Sequence, residues 1–398
     1  MNERSSFSFL FILLFTMLGS LFMPAQTITN VQVRQEGFEI IVTYDLDGEL
    51  QGEERVMIGY SKDGGRKYRA FTDADGDLGK YVKPGTGRKI SFLTNDDFAG
   101  HDARFKVFVS SAPPGSPWEF TNAGATGRLG PTQSQVNAAY VGGSLEGEVT
   151  ITTQGIQEWS VPMSGTYTIE VWGSSTPDQN YTTYNNDHGL GARMKGDFNL
   201  AGGDILQILV GQKPTQSEFN GGGGGTFVAK GASHENASAL IVAGGGGSHR
   251  SKYSASGLEG LLDGVTGTAG VTTQFAGGQN GQGGTTSSTN RNGGAGGGFV
   301  GDGQVPNYSP SSAYQPARSF RNGGVGGYYF ESFANVFQVG GFGGGGAGGW
   351  GGSGGGGGYS GGGAGDNGEK IKAQGGGGGS YNAGTNQDNE SGVNEGHG

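Results

Sequence analysis

The chain has 398 residues, of which 88 are glycine and none is cysteine, and its formal net charge is −10. The lack of cysteine excludes disulfides, thiolate metal sites, cysteine nucleophiles and a lipoprotein-type anchor. The acidic balance argues against nucleic acid, because phosphate binding needs clustered Lys and Arg. With only 12 prolines and no Gly-X-Y period, a collagen triple helix is excluded too.

Residues 1–25 read as an export signal. Arg4 precedes an apolar run over 7–23, and Pro24-Ala25-Gln26 offers a small-residue cleavage site near Ala25. The alternative is an uncleaved anchor, since a run of roughly 17 residues sits at the lower spanning limit. No second apolar stretch approaches membrane length, so a secreted or cell-surface protein is expected, with no membrane span in the mature chain.

Residues 27–110 show the period of short strands. Phe38, Ile40, Val42 and Tyr44 alternate with polar residues, as do Val56, Ile58 and Tyr60, and then Phe105, Val107 and Val109. Asp63-Gly64-Gly65 and Lys83-Pro84-Gly85 supply turns. A small β-sandwich follows, and the order of motifs resembles a fibronectin type III-like module. Residues 111–117, within SSAPPGSP, form a linker.

A second β region begins at 118 and runs to about 243. Trp159 and Val161 lead into a turn, Tyr167, Ile169 and Val171 alternate on the returning strand, and 205–210 is an apolar run, broken only by Gln207, suited to a buried strand. No amphipathic helix is expected here. From about 244 to 398 glycine tracts alternate with polar loops that carry Tyr, Phe and Arg, such as 306–321. The tract 339–365 poses the main question, because glycine-rich chain defaults to flexible coil. Polyglycine II is the structured alternative, a threefold helix of about 3.1 Å rise per residue with no internal hydrogen bonds. Its rods pair with neighbours on several sides if no Cβ separates them. Phe299, Phe342, Trp350 and Tyr359 are the candidate packing anchors, since a linker has no use for them.

Catalytic and cofactor motifs find no context. GxGxxG matches abound, but no helix follows any tract, as a dinucleotide site requires. The GxSxG matches at Ser353 and Ser360 lack the strand-to-helix elbow of a hydrolase. HRD, DFG and VAIK-like kinase motifs are absent. His101, His188, His234, His249 and His397 have no metal-ligand spacing and are expected on the surface. Asp73 to Asp77 departs from the EF-hand order, leaving a solvated turn or a structural calcium site as the alternatives. No enzyme activity, no cofactor and no metal are expected.

The segment WEFTNAGATGRLGPTQSQVNAAY (118–140) resembles the start of the glycine-rich extracellular domain of the anaplastic lymphoma kinase and leukocyte tyrosine kinase receptors. The likeness continues in order through GIQEWSVPMSGTYTIEVWG (155–173), FNLAGGDILQILVGQ (198–212), GGGGGTFVAK, LIVAGGGG and NEGHG. It implies an all-β fold, with a tumour necrosis factor-like β-sandwich fused to a polyglycine II bundle behind the fibronectin-like sandwich. In those receptors the domain binds small basic helical cytokines. Ala123 and Val136 stand where the receptors have cysteines, which implies an apolar contact in place of a bridge. The receptors continue into a closing strand, a transmembrane helix and a kinase beyond the position of Gly398, so a fragment is one expectation. Glu395 matches a glutamate that holds cytokine arginines; the plainer alternative is that it ends a solvated turn.

The functional expectation is extracellular binding or adhesion by a bacterial-type exported protein, with a protein or glycan ligand. A ligand-binding ectodomain fragment of a receptor tyrosine kinase-like protein is the alternative, and a structural surface spacer is the third reading.

Overall fold

The computed structural model describes residues 26–50, 54–61, 69–71, 74–79, 81–93, 103–110, 117–141, 143–162, 164–177, 188–215, 221–249, 259–287, 291–306, 312–331, 336–367 and 370–398. The signal-peptide reading, the linker up to 116 and Asp73 of the calcium reading lie outside them. The chain divides into two compact units, one comprising Met1–Tyr68 and Asp73–Ala112, the other Arg69–Thr72 and Pro113–Gly398. Both are built from antiparallel sheets, and the fold class is all-β.

In the first unit, Thr27–Glu36, Glu39–Asp47, Gly85–Leu93 and Asp75–Gly76 make one sheet in that order, and Arg55–Ser61 pairs with Arg104–Ser110 in another. The alternation read from the sequence fills the core: Ile40, Val42, Tyr44, Val56, Ile58 and Val107 are all buried. Phe38 is a correction. It sits in the turn after Gly37, whose φ is +62°, and is 83% exposed. Of the acids in the 73–77 stretch, Asp77 accepts from the Lys89 N–H (2.8 Å) and Asp75 is exposed. Among the described residues no group of three His, Asp or Glu is placed to hold a metal ion.

The second unit stacks a three-stranded sheet on a six-stranded one. The first has the order Gly165–Trp172, Gly191–Leu200, Glu390–Asn394; the second runs Tyr381–Asn382, Ser238–Ala243, Thr226–Lys230, Ile205–Leu209, Gln157–Ser160, Val149–Thr150. Val171, Met194, Phe198 and Leu200 from the first meet Trp159, Leu206, Ile208, Val228 and Ile241 from the second in one core. Ala123 and Val136 belong to that same core, 6% and 1% exposed. One helix, Gln133–Ala139, packs there through Val136, contrary to the helix-free expectation. Its start is a capping box: the Gln135 N–H donates to Thr132 Oγ1, and the Thr132 N–H donates to Gln135 Oε1.

The apolar run 205–210, broken only by the buried Gln207, has a simple cause. Leu206 and Ile208 face the sandwich core, whereas Leu209, with Phe227, Ala229 and Val242, faces a second cluster on the other side of the same sheet. A strand covered on both faces loses the polar half of its alternation. That second cluster is where the glycine-rich part docks. Phe299, Phe320 and Phe342 bring the apolar surface, and Tyr359 and Tyr381 pack at its edge. Phe299 stacks on Phe320 at 5.0 Å, and Phe320 on Phe227 at 5.2 Å. Trp350 is half-buried and is not a member of this cluster.

The tracts themselves are buried and regular, and their hydrogen bonds repeat every third residue. Ser353, Gly356 and Tyr359 donate in turn to Ala373, Gly376 and Gly379, so those two rods are parallel. Gly355 and Gly358 donate to Gly294 and Gly297, also parallel, while Gly293, Gly296 and Phe299 donate to Gly365, Gly362 and Tyr359, which is antiparallel. A period of three in the pairing is the threefold screw of polyglycine II. The rod 352–359 also donates to Gly223 and accepts from Gly245, Gly346 and Gly362, so neighbours surround it. Close approach excludes any side chain: a Cβ on Gly357 would lie 2.0 Å from the Gly343 oxygen, and one on Gly362 1.9 Å from that of Gly376. The tract 339–365 is therefore structure, not linker. The segment 221–225 is a rod as well, and the strands Tyr381–Asn382 and Glu390–Asn394 return to one edge of each sheet of the sandwich.

Candidate functional site

The sequence-predicted residue, Glu395, lies in the loop that leaves the Glu390–Asn394 strand. That strand pairs with Gly191–Leu200, setting Asn394 opposite Gly191. Asn394 then folds the loop back: its Nδ2 donates to the Gly173 carbonyl (2.7 Å) and the His397 carbonyl (2.8 Å), and its Oδ1 accepts from the Gly396 N–H (3.1 Å). An Asx-type closure of this kind suits a short polar side chain. Further along, the Gly398 N–H donates to the Gly211 carbonyl, and the Ser175 N–H to the Gly396 carbonyl.

Glu395 is gripped through its backbone alone. Its carbonyl accepts from Ser175 Oγ (2.6 Å) and Lys213 Nζ (2.8 Å), while the residue itself remains exposed. The backbone of the turn is accordingly held on several sides. His397 stands beside it and accepts the Lys213 N–H at Nδ1 (3.1 Å). Burial, reinforced by the Lys213 charge, holds the His397 imidazole below its usual value. A neutral Nδ1 is what that hydrogen bond requires.

The neighbouring sheet surface carries charges already engaged with each other. Arg193 bridges Glu170 (2.5 Å) and Asp388 (3.0 Å), and Lys195 approaches Glu170 at 3.3 Å. Burial pushes the Glu170 carboxyl up, but hydrogen bonds from Arg193 and Lys195 more than offset it and leave it below the ordinary range. The Asp388 carboxyl is held down by Arg193. Exposed Glu390 and Glu395 stand at the edge of this surface.

No established protein family matches the chain. A receptor does. Over 125 residues the chain is 34% identical to the leukocyte tyrosine kinase receptor of Mus musculus. The match covers 30% of this chain and 14% of that receptor, so the shared stretch is a small part of the relative. The chain is thus receptor-like over that stretch. Among the described residues no helix is long and apolar enough to cross a membrane.

The other candidates from the sequence resolve into structure. Ser353 and Ser360 are buried within rods; Ser360 Oγ accepts the Gly281 N–H (3.2 Å), and the Ser353 N–H donates to Ala373. His234 and His249 are buried, 8% and 5% exposed, and correct the surface expectation; His101 lies outside the described residues. Sequence reasoning missed Ser175, Lys213 and Asn394, whose partners are 182 to 221 residues away. No local signal marks them. It also missed an open cleft of about 720 Å³ near Arg318 and Arg321, although the polar loop 306–321 stands out by its arginines.

Proposed function

We propose that the chain is a non-catalytic extracellular binding or adhesion protein, whose glycine-rich unit is a rigid mount for the 395–398 loop. The held loop carries this reading. Its backbone is fixed to Ser175, Lys213 and Gly211, yet Glu395 is left exposed. Preorganisation of this kind lowers the ordering cost of binding. An exposed carboxylate on a rigid loop suits a basic protein surface, and a protein or glycan at the cell exterior is the expected partner. The identity with a tyrosine kinase receptor favours a second reading, a ligand-binding segment of a receptor-like ectodomain. No cofactor, metal or nucleic acid is assigned, and no catalytic role is given to Ser353 or Ser360.

The test passes the full chain over immobilised basic helical proteins and a glycan panel. Saturable binding that weakens about tenfold in Glu395→Gln supports the reading, since hydrogen bonds to charged groups carry that much affinity. Unchanged affinity in that variant removes Glu395 from the site, and no saturable partner at all leaves a surface spacer. Export is checked separately: the mature protein is expected to begin near Gln26.

A further inference from the structure

The open cleft of about 720 Å³ is lined by Thr153, His234, Glu235, Val300, Arg318, Arg321, Asn322 and Gly323. It shares no residue with the Glu395 loop, and its volume falls within the roughly 300–1,000 Å³ of small-molecule clefts. Its two guanidinium groups are held differently. Arg318 is tied to Asp302 (2.7 Å), whose other oxygen accepts from the Ser319 N–H and Asn322 Nδ2, both at 2.8 Å. Asp302 thereby fixes the turn 318–322 and offsets the charge of Arg318.

Arg321 has no acidic partner among the described residues. Its guanidinium carbon lies 5.4 Å from the centre of the Phe299 ring, and Nη2 donates to the Ala237 carbonyl at 3.3 Å. Its Nε is shielded from solvent and makes no hydrogen bond. In a chain of net charge −10, this is a cation set on a rigid aromatic stack and short of acceptors. A planar fork of donors matches a carboxylate or sulfate.

The rest of the lining chooses among anions. Val300 and Thr153 offer apolar contact, and Asn322, His234 and the exposed Glu235 offer partners for hydroxyl groups. Glu235 also disfavours a second acid placed directly beside it. We propose that this cleft is a subsite for an acidic sugar, one uronate or sulfate group of an oligosaccharide seated against Arg321, its hydroxyls facing Asn322, His234 and Glu235. The site stands independently of the Glu395 reading, and Glu395→Gln leaves it unchanged.

Titration calorimetry of the full chain with hyaluronan hexasaccharide, heparin hexasaccharide, neutral chitohexaose and hexaglutamate tests the assignment. Saturable binding of hyaluronan or heparin hexasaccharide is expected, with none for chitohexaose, and the tighter of the two identifies the anion. Arg321→Gln is expected to weaken it by about tenfold, the loss of one charge-assisted contact. Should Arg321→Gln unfold, Arg321→Lys decides: it keeps the charge but loses the planar fork of donors, and a severalfold loss is expected in a protein that still folds. Absence of saturable binding by both acidic sugars overturns the proposal, as does unchanged affinity in the folded arginine variants. Tighter binding of hexaglutamate than of either sugar assigns the cleft to acidic peptides instead and overturns it too.

Discussion

The sandwich and the rod bundle solve the same problem in opposite ways. Buried N–H and C=O groups must be paired wherever chain leaves water. In the sandwich each strand pairs within the plane of its sheet, and side chains such as Leu206, Val228 and Ile241 fill the space above and below. In the bundle, rod 352–359 pairs in all directions around its axis and has almost nothing but hydrogen atoms between backbones. Apolar burial is the dominant favourable contribution in most folds, yet here it is confined to one contact face. Ordering glycine costs more than ordering any other residue, so the bundle depends on a nearly complete hydrogen-bond network and on the aromatic cluster that joins it to the sandwich. A sheet tolerates changes of side chain that leave its ladder intact. A rod tolerates almost none.

The largest expected effect follows from that contrast. Gly357→Ala places a Cβ about where the Gly343 oxygen already sits, and because backbone rather than a flexible side chain is the obstacle, no folded protein is expected; soluble yield and circular dichroism report it. Next comes the joint between the two halves. Phe342→Ala removes a fully buried ring at a predicted cost of about 3–5 kcal/mol, and Leu206→Ala in the sandwich costs about 2–5 kcal/mol. Amide exchange separates the two halves: Phe342→Ala is expected to speed exchange across 343–363 first, whereas Leu206→Ala speeds the sandwich strands first. Coil-rate exchange over 343–363 in the unaltered protein would refute the bundle itself.

Smaller effects probe the edges. Thr132→Ala loses the capping box of Gln133–Ala139 and is expected to cost about 1 kcal/mol in chemical denaturation, leaving the rods untouched. The last is a pH effect at the 395–398 loop. Because the folded state holds His397 below its usual 6.5, the unfolded chain takes up the proton first as pH falls. The contribution of this group is complete above pH 6.5 and declines as the pH drops through that value toward the lower folded one. Local exchange of the loop amides is expected to accelerate over that window, and His397→Gln to abolish the dependence.

Much of this fold was legible in the residues. Alternation at Ile40, Val42 and Tyr44 marked a strand with one buried face, and the apolar run 205–210, interrupted only by Gln207, marked a strand with two. The anchors Phe299, Phe342 and Tyr359 were visible because aromatic residues inside glycine have no other employment. Trp350 satisfied the same argument yet stands apart from that cluster, since composition names a class of residue and not a position on the rod. The capping pattern Thr132-Gln133-Ser134-Gln135 was present but lay in a segment too short to show helical period. Partnerships such as Gly355 with Gly294, or Glu395 with Ser175, left no trace, because glycine looks alike at every position and hydrogen bonds to backbone select no side chain. Candidate sites suffered most: Glu395 entered through resemblance, and the arginine cleft only through distance in space.

The period of three has a consequence for alignment. A rod displaced by one full turn along its neighbour recovers the same pairing, so a uniform tract is a scale without graduations, as other glycine-rich strands are weakly fixed in register. The graduations are the rare interruptions. Ala347, Ser353, Ser360 and Ala364 are at most 2% exposed, each sitting where the lattice has room for a Cβ, and Ser248 and Ser380 latch their hydroxyls to Gly354 and Gly244. Replacing such positions with glycine would leave every rod free to pair, but with more than one partner setting. The resulting error would be a mixture of offsets rather than a loss of folding, and it would surface as blurred loop positions at the rod ends.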